Sequence, residues 1–119
     1  MNRFLLLIPL LLFSPNAHSL EELTPYQAIS KVSERATVCG KVSSIKYSVS
    51  SNQRPTFINL GPEFPSHVFT IVIWGDVRDS LKNKPESLAN RKICITGLIT
   101  KYKGKAQIEL NNENQIKGY

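Results

Sequence analysis

Fifteen basic against nine acidic side chains give this 119-residue chain a net charge of +6, and its length suffices for one small core and not for two. A net positive charge favours polyanionic partners such as nucleic acid, anionic lipid or acidic glycan, without choosing among them. Two cysteines and two histidines leave little material for a protein-built metal centre.

The chain opens with a short positive segment, Met1-Asn2-Arg3, followed by an apolar run from Phe4 to Phe13 that is interrupted only by Pro9. Ser14-Pro15-Asn16 breaks the run, and Ala17-His18-Ser19 offers the small-x-small pattern of a cleavage site. An apolar core of about ten residues is half the roughly twenty that a spanning helix needs. Residues 1–19 therefore read as a cleaved signal peptide. Residues 20–119 read as a single exported domain, periplasmic or secreted, with no stable membrane insertion after cleavage. Removing Arg3 leaves fourteen basic against nine acidic side chains, so the expected mature chain stays near +5.

Thr24-Pro25 is a helix opening, a capping hydroxyl followed by proline at the first helical position, and Tyr26, Ile29 and Val32 follow at helical spacing. A first strand runs from Ala36 to about Tyr47 with a period of two, and Ser43-Ser44 breaks its register as a bulge would. Ser48 to Pro55 is a polar loop. Thr56 to Leu60 is a second strand, stopped by Gly61-Pro62. Val68 to Trp74 is the third, the most β-branched and aromatic run in the chain. Asp76 to Asn83 predicts a short helix with Val77 and Leu81 pointing inward, and a further helical turn fits Pro85 to Leu88. Arg91 to Tyr102 is a fourth strand, Lys103-Gly104 a tight turn and Lys105 to Leu110 a fifth strand, with a polar tail beyond.

Strand, strand, strand, helix, strand, strand is the order of the OB-fold, a five-stranded Greek-key barrel with a helix between strands three and four. The expected fold class is all-β with one or two short helices, the barrel covering about residues 36–112. An SH3-like barrel or an open sheet shares five short strands. The placed helix, the long first strand and the mid-strand glycines Gly40 and Gly97 favour the OB barrel. Cys39 and Cys94 fall on strands one and four, antiparallel neighbours in such a barrel, and both lie opposite the apolar set. An even cysteine count in an exported protein then reads as one disulfide, with no metal site.

The segments Val38-Cys39-Gly40-Lys41-Val42, Pro55 to Gly61, Phe69 to Gly75 and Ile93-Cys94-Ile95-Thr96-Gly97 resemble small bacterial OB-fold modules related to nucleic-acid-binding OB domains of the tRNA-anticodon-binding type. The resemblance covers about residues 36–116. It implies that Phe57, outward on the second strand, occupies a base-stacking position, with Asn59 beside it to hydrogen-bond a base edge. Packing under the polar loop or the N-terminal helix is the other use for Phe57. Lys46, Tyr47 and Arg54 flank the loop between strands one and two, and Lys101, Tyr102, Lys103 and Lys105 crowd the turn between strands four and five. OB-folds bind oligonucleotides or oligosaccharides between these loops. Cations with interleaved aromatics suit a single strand, because charge follows the phosphates while rings stack on bases. Lysine-rich turns also serve solubility and guard sheet edges.

No Ser-His-Asp, Cys-His or metal-ligand constellation can be assembled from His67 and a bonded cysteine pair, and Arg35, Arg54, Arg78 and Arg91 are scattered. The sequence therefore points to a binder without enzymatic activity or cofactor. The first reading is a module for single-stranded nucleic acid or another polyanion. The alternative is an envelope stress-type OB-fold protein that binds a small ligand, glycan or partner protein.

Overall fold

A computed structural model describes residues 20–118; the signal-peptide reading of residues 1–19 lies outside the described residues, as does Tyr119. The elements are β1 (Glu22–Leu23), a 3-10 helix (Pro25–Lys31), β2 (Arg35–Tyr47), β3 (Thr56–Leu60), β4 (Phe69–Ile73) and α1 (Gly75–Ser80). A 3-10 turn (Pro85–Leu88), β5 (Lys92–Leu98), β6 (Thr100–Tyr102), β7 (Lys105–Glu109), a last 3-10 turn (Glu113–Gln115) and β8 (Ile116–Gly118) complete the chain.

All the strands read from alternation are present, but the sheet is not a five-stranded barrel. Eight strands pair along an open path, β6-β7-β4-β3-β2-β5-β8, with β1 alongside β2. The expected fourth strand divides at Ile99, whose backbone bonds to the turn before β2: Ser33 N–H donates to the Ile99 carbonyl at 2.7 Å, and Ile99 N–H to the Glu34 carbonyl at 2.9 Å. Freed from a continuous ladder, β5 pairs with β2 while β6 pairs with β7. The two pieces of one run thus serve distant parts of the sheet. The polar tail is also more ordered than its composition implies, since β8 adds antiparallel to β5 through Ile116, Lys117 and Gly118.

β2 changes partner along its length. Arg35 to Lys41 pairs with β5, Val42 to Tyr47 pairs with β3, and the register shifts between Val42 and Ser44 as the two serines suggest. The extra residue bends the strand, so its inner face follows the curvature of the core. Val38, Ile58, Ile71, Ile95 and Ile108 are fully buried there, one from each long strand, with Ile99 from the break between β5 and β6. Each such side chain contributes roughly 1.5–3 kcal/mol by leaving water. Gly97 on β5 shows how tightly the sheet folds over, because a Cβ there would lie 2.7 Å from Ile108 Cγ2 on β7.

The N-terminal helix is of the 3-10 type, and its buried residues are Pro25 and Ala28. Three residues per turn puts i and i+3 on one line, so that pair faces the core. Tyr26 and Ile29, which α-helical spacing singles out, are exposed instead. Val77 and Leu81 around α1 pack against the core as their spacing predicts.

Cys39 and Cys94 are direct register partners in the β2–β5 ladder, with Cα atoms 4.0 Å apart, and form the disulfide. Two residue pairs along, the Thr37 and Thr96 hydroxyls hydrogen-bond at 2.7 Å on the same outer face. Opening the disulfide, by reductant or by replacing both cysteines with serine, is expected to lower the unfolding free energy by about 4 kcal/mol, the chain-entropy value for so long a loop. Urea unfolding followed by circular dichroism measures it; coincident curves with and without reductant would refute the expectation.

Candidate nucleic-acid interface

Alternation on β3 sends Thr56, Ile58 and Leu60 inward and leaves Phe57 and Asn59 on the outer face. The ladders then align outward residues in rows across the sheet. One row is Lys46, Phe57, Val72 and Glu109, and the next is Ser44, Asn59, Thr70, Gln107 and Thr100. Tyr102 and Lys105 face each other in a third. Neighbouring strands stand about 4.8 Å apart and successive rows about 6.7 Å. Within these rows Asn59, Thr70 and Val72 are buried, so the accessible positions lie toward Lys46 and Phe57 on one side and Glu109 on the other.

Phe57 is half-buried on this face and Lys46 beside it is exposed. Ion pairs among the described residues are Lys31–Glu21, Arg54–Asp79 and Arg78–Glu86, so Lys46, Lys101, Lys103 and Lys105 take part in none. Lys101, Tyr102 and Lys103 are exposed at the β6–β7 hairpin. Positive φ at Lys103 (50°) and Gly104 (79°) matches the tight turn whose twist suits a two-residue hairpin. The Lys103 ammonium lies 5.3 Å from the Tyr102 ring centroid, and Lys105 Nζ donates to the His67 carbonyl at 3.0 Å.

Three residues expected at the interface are instead held by the fold. Asn59 is 6% exposed. Its amide nitrogen donates to Ser44 Oγ at 2.9 Å and its amide oxygen accepts from Thr70 Oγ1 at 2.6 Å, so it bridges β2 to β4 and has no free edge for a base. Tyr47 pairs with Thr56 in the inward register and lies beneath the Arg78 guanidinium, 3.7 Å from the ring centroid. Arg54 donates to the Tyr47 hydroxyl and to Asp79 Oδ2, both at 2.9 Å. Arg78 in turn donates to Glu86 Oε1 at 2.9 Å and to Thr56 Oγ1 at 2.8 Å. These contacts clasp the 48–55 loop to α1. Gly75 belongs to the same clasp, since a Cβ there would sit 2.6 Å from the Arg54 guanidinium.

The charges respond to this arrangement. Hydrogen bonding from Arg54 holds the Asp79 carboxyl below the ordinary carboxylate range, and Arg78 does the same for Glu86. Carboxylates lowered in the folded state stabilise it above their unfolded pKa, and that contribution is lost as pH falls through the lowered values. The clasp is therefore intact at neutral pH and opens only in acid. Burial, followed by the charge of Lys105, lowers the pKa of His67 against an opposing contribution from the Pro65 backbone, which favours the neutral ring at pH 7. Glu22 brings its carboxylate near both cysteine sulfurs, but these are bonded to each other and offer no thiolate to a metal.

One aromatic at this end escapes a reading based on alternation. Phe64, in the loop between β3 and β4, is 68% exposed and stacks on His67 with centroids 5.3 Å apart and planes at 22°. The available signals were the flanking Pro62 and Pro65, which stiffen the loop, and the nearby histidine.

No known protein family matches the chain by sequence, and no curated protein does. Solved structures do resemble it. A chain of the yeast Stn1 and Ten1 structure matches 89% of this chain at 12% identity with a TM-score of 0.55. A chain assigned as an aspartyl-tRNA synthetase from Leishmania major Friedlin matches 89% at 11% identity and 0.52. The asparaginyl-tRNA synthetase from Pyrococcus horikoshii matches 84% at 9% identity and 0.51. The fold is OB-like. This chain spans 66% of the Stn1 and Ten1 chain and only 22% and 23% of the two synthetases.

The division between fixed and free residues has a direct consequence. Asn59→Ala is expected to destabilise the protein by about 1–3 kcal/mol, because Thr70 and Ser44 lose a buried partner. Lys46→Ala, on an exposed and unpaired side chain, should leave stability within about 0.5 kcal/mol of the parent. Thermal and urea unfolding of both variants checks the contrast.

Proposed function

We propose that the chain is a non-catalytic, exported module that binds single-stranded nucleic acid across the outer face of β3 and β4. In this reading β5 and β6 act together as the fourth strand of an OB barrel. The observation that carries it is a half-buried Phe57 beside the unpaired Lys46, on a face that leads to Tyr102 and the unpaired Lys101, Lys103 and Lys105. An aromatic offers its π-face to any base while lysines follow the phosphates, so binding of this kind tolerates sequence. Arg54, Tyr47 and Asn59 shape the surface and do not touch the ligand. Two of the solved structures that resemble this chain are named as tRNA synthetases, which agrees with a nucleic-acid partner.

The non-catalytic reading is supported by the state of the ionisable groups. Asp79 and Glu86 are tied to arginines, and the His67 ring is tied to a structural stack. Export is supported by the disulfide, a bond that persists in oxidising compartments, together with the leader-like residues 1–19. Among the described residues no helix is long and apolar enough to cross a membrane.

Fluorescence anisotropy of a labelled single-stranded oligonucleotide, titrated with oxidised protein across a salt series, tests the proposal. Four lysines outside any ion pair among the described residues predict a slope of log K against log salt of roughly −3, at about 0.7 per phosphate contact on a single strand. Phe57→Ala is expected to weaken binding by roughly five- to a hundredfold, the worth of one stacked base. Binding that any polyanion matches, and that Phe57→Ala leaves unchanged, would favour a glycan or protein partner in the cell envelope.

A further inference from the structure

The outer face does not end at the β6–β7 hairpin. Tyr102 and Lys105 form its last row, and Ala106, next to Lys105, pairs with Phe69 at the start of β4. The β3–β4 loop therefore returns to the sheet beside Lys105. The Lys105 ammonium fastens it there through the His67 carbonyl. On that loop Phe64 has one ring face against His67 and remains 68% exposed. Tyr102, 59% exposed, stands on the neighbouring hairpin with Lys101 and Lys103 on either side.

We infer that Phe64, backed by His67 on the loop that Lys105 fastens to the sheet, is a second stacking platform for the bases of a strand that also contacts Phe57. The inference rests on the reading of the outer face as a single-strand surface, and it gives that surface a length and a far end.

Three features support it. The exposed Phe64 ring is held in place, stacked on His67, whose carbonyl Lys105 fastens to the sheet. Its ring already stacks on a second planar ring, and a base on its open side would extend the same stack. The cations that would hold the adjoining phosphates, Lys101, Lys103 and Lys105, flank the turn of the hairpin, and none of them is in an ion pair among the described residues. The neutral His67 ring is a stacking partner that adds no charge of its own.

The row of Phe57 contains Glu109, and Lys105 lies four residues before Glu109 on β7, so the row of Phe57 and the row of Lys105, where the β3–β4 loop is fastened, stand about 13 Å apart along the sheet. That is about four nucleotides at the 3.4 Å spacing of a stacked strand. Strand length is therefore the variable that separates them.

Oligothymidylates of about four and about twelve nucleotides, lengths that bracket the site sizes of single OB domains, would be titrated against the oxidised protein and its Phe64→Ala and Phe64→Trp variants. Phe64→Ala is expected to weaken the longer strand about tenfold and leave the shorter one unchanged. Phe64→Trp should restore affinity, and the emission of the added indole should be quenched beyond that of Trp74. Thermal unfolding identifies any variant that has lost its fold. Unchanged affinity of Phe64→Ala for the longer strand, while Phe57→Ala weakens both lengths, would overturn the second platform and leave the first standing. Absence of binding by the parent protein at either length would overturn both.

Discussion

The structure depends on one strand that cannot be straight. β2 has thirteen residues, and its two halves pair with different neighbours: the first with β5, the second with β3. The register shift between Val42 and Ser44 is what permits the change. Without the bend, Val38 and Val42 could not both face a core that includes Ile58 from one neighbour and Ile95 from the other. The disulfide then fastens the first half of β2 to β5, opposite the buried face. Everything described on the outer surface is oriented by that curvature, including the rows that align Phe57 with Lys46 and Asn59 with Thr70.

The polar groups on the molecule divide by location. At the end of the sheet near α1, Arg54 and Arg78 are consumed by Asp79, Glu86, Tyr47 and Thr56, so their charge is neutralised and the 48–55 loop is fixed. At the opposite end the cations of the hairpin have no acidic partner among the described residues. Asn59 and Thr70 hold the middle of the face in a closed hydrogen-bonded chain. A net positive charge spread evenly over the surface would attract polyanions without a direction. On the outer face three of the cations, Lys101, Lys103 and Lys105, are gathered at the hairpin, and Lys46 stands apart beside Phe57.

Much of this was legible in the sequence because it depends on local periodicity. The β-branched alternation of Phe69 to Trp74 and the inward Ile93, Ile95 and Gly97 identify their strands without help from the rest of the chain. The paired serines announce the bulge, and the two cysteines fall on neighbouring strands once the strand order is known. The remainder depends on contacts that no local pattern encodes. β1 has two residues and β8 three, and each exists only because a longer strand offers an edge. Ile99 looks like an ordinary strand residue until the turn before β2 takes its backbone hydrogen bonds. Alternation correctly put Asn59 outside, but said nothing of the hydroxyls on either side that occupy its amide. Arg54 reads as a free cation because the acid that neutralises it, Asp79, lies 25 residues away in the chain.

The divided pairing of β2 also governs how the molecule comes into being. Arg35 to Lys41 must wait for Lys92 to Leu98, and β4 must wait for β7. A chain growing from its N-terminus can form the β2–β3–β4 meander early, but half of β2 then remains an unpaired edge with its apolar side uncovered. Such edges invite pairing with other chains. Contacts so distant in sequence also close slowly, on the millisecond-to-second scale typical of barrels rather than the microseconds of helical bundles. The β2–β5 and β4–β7 ladders thus close only once the last third of the chain is available.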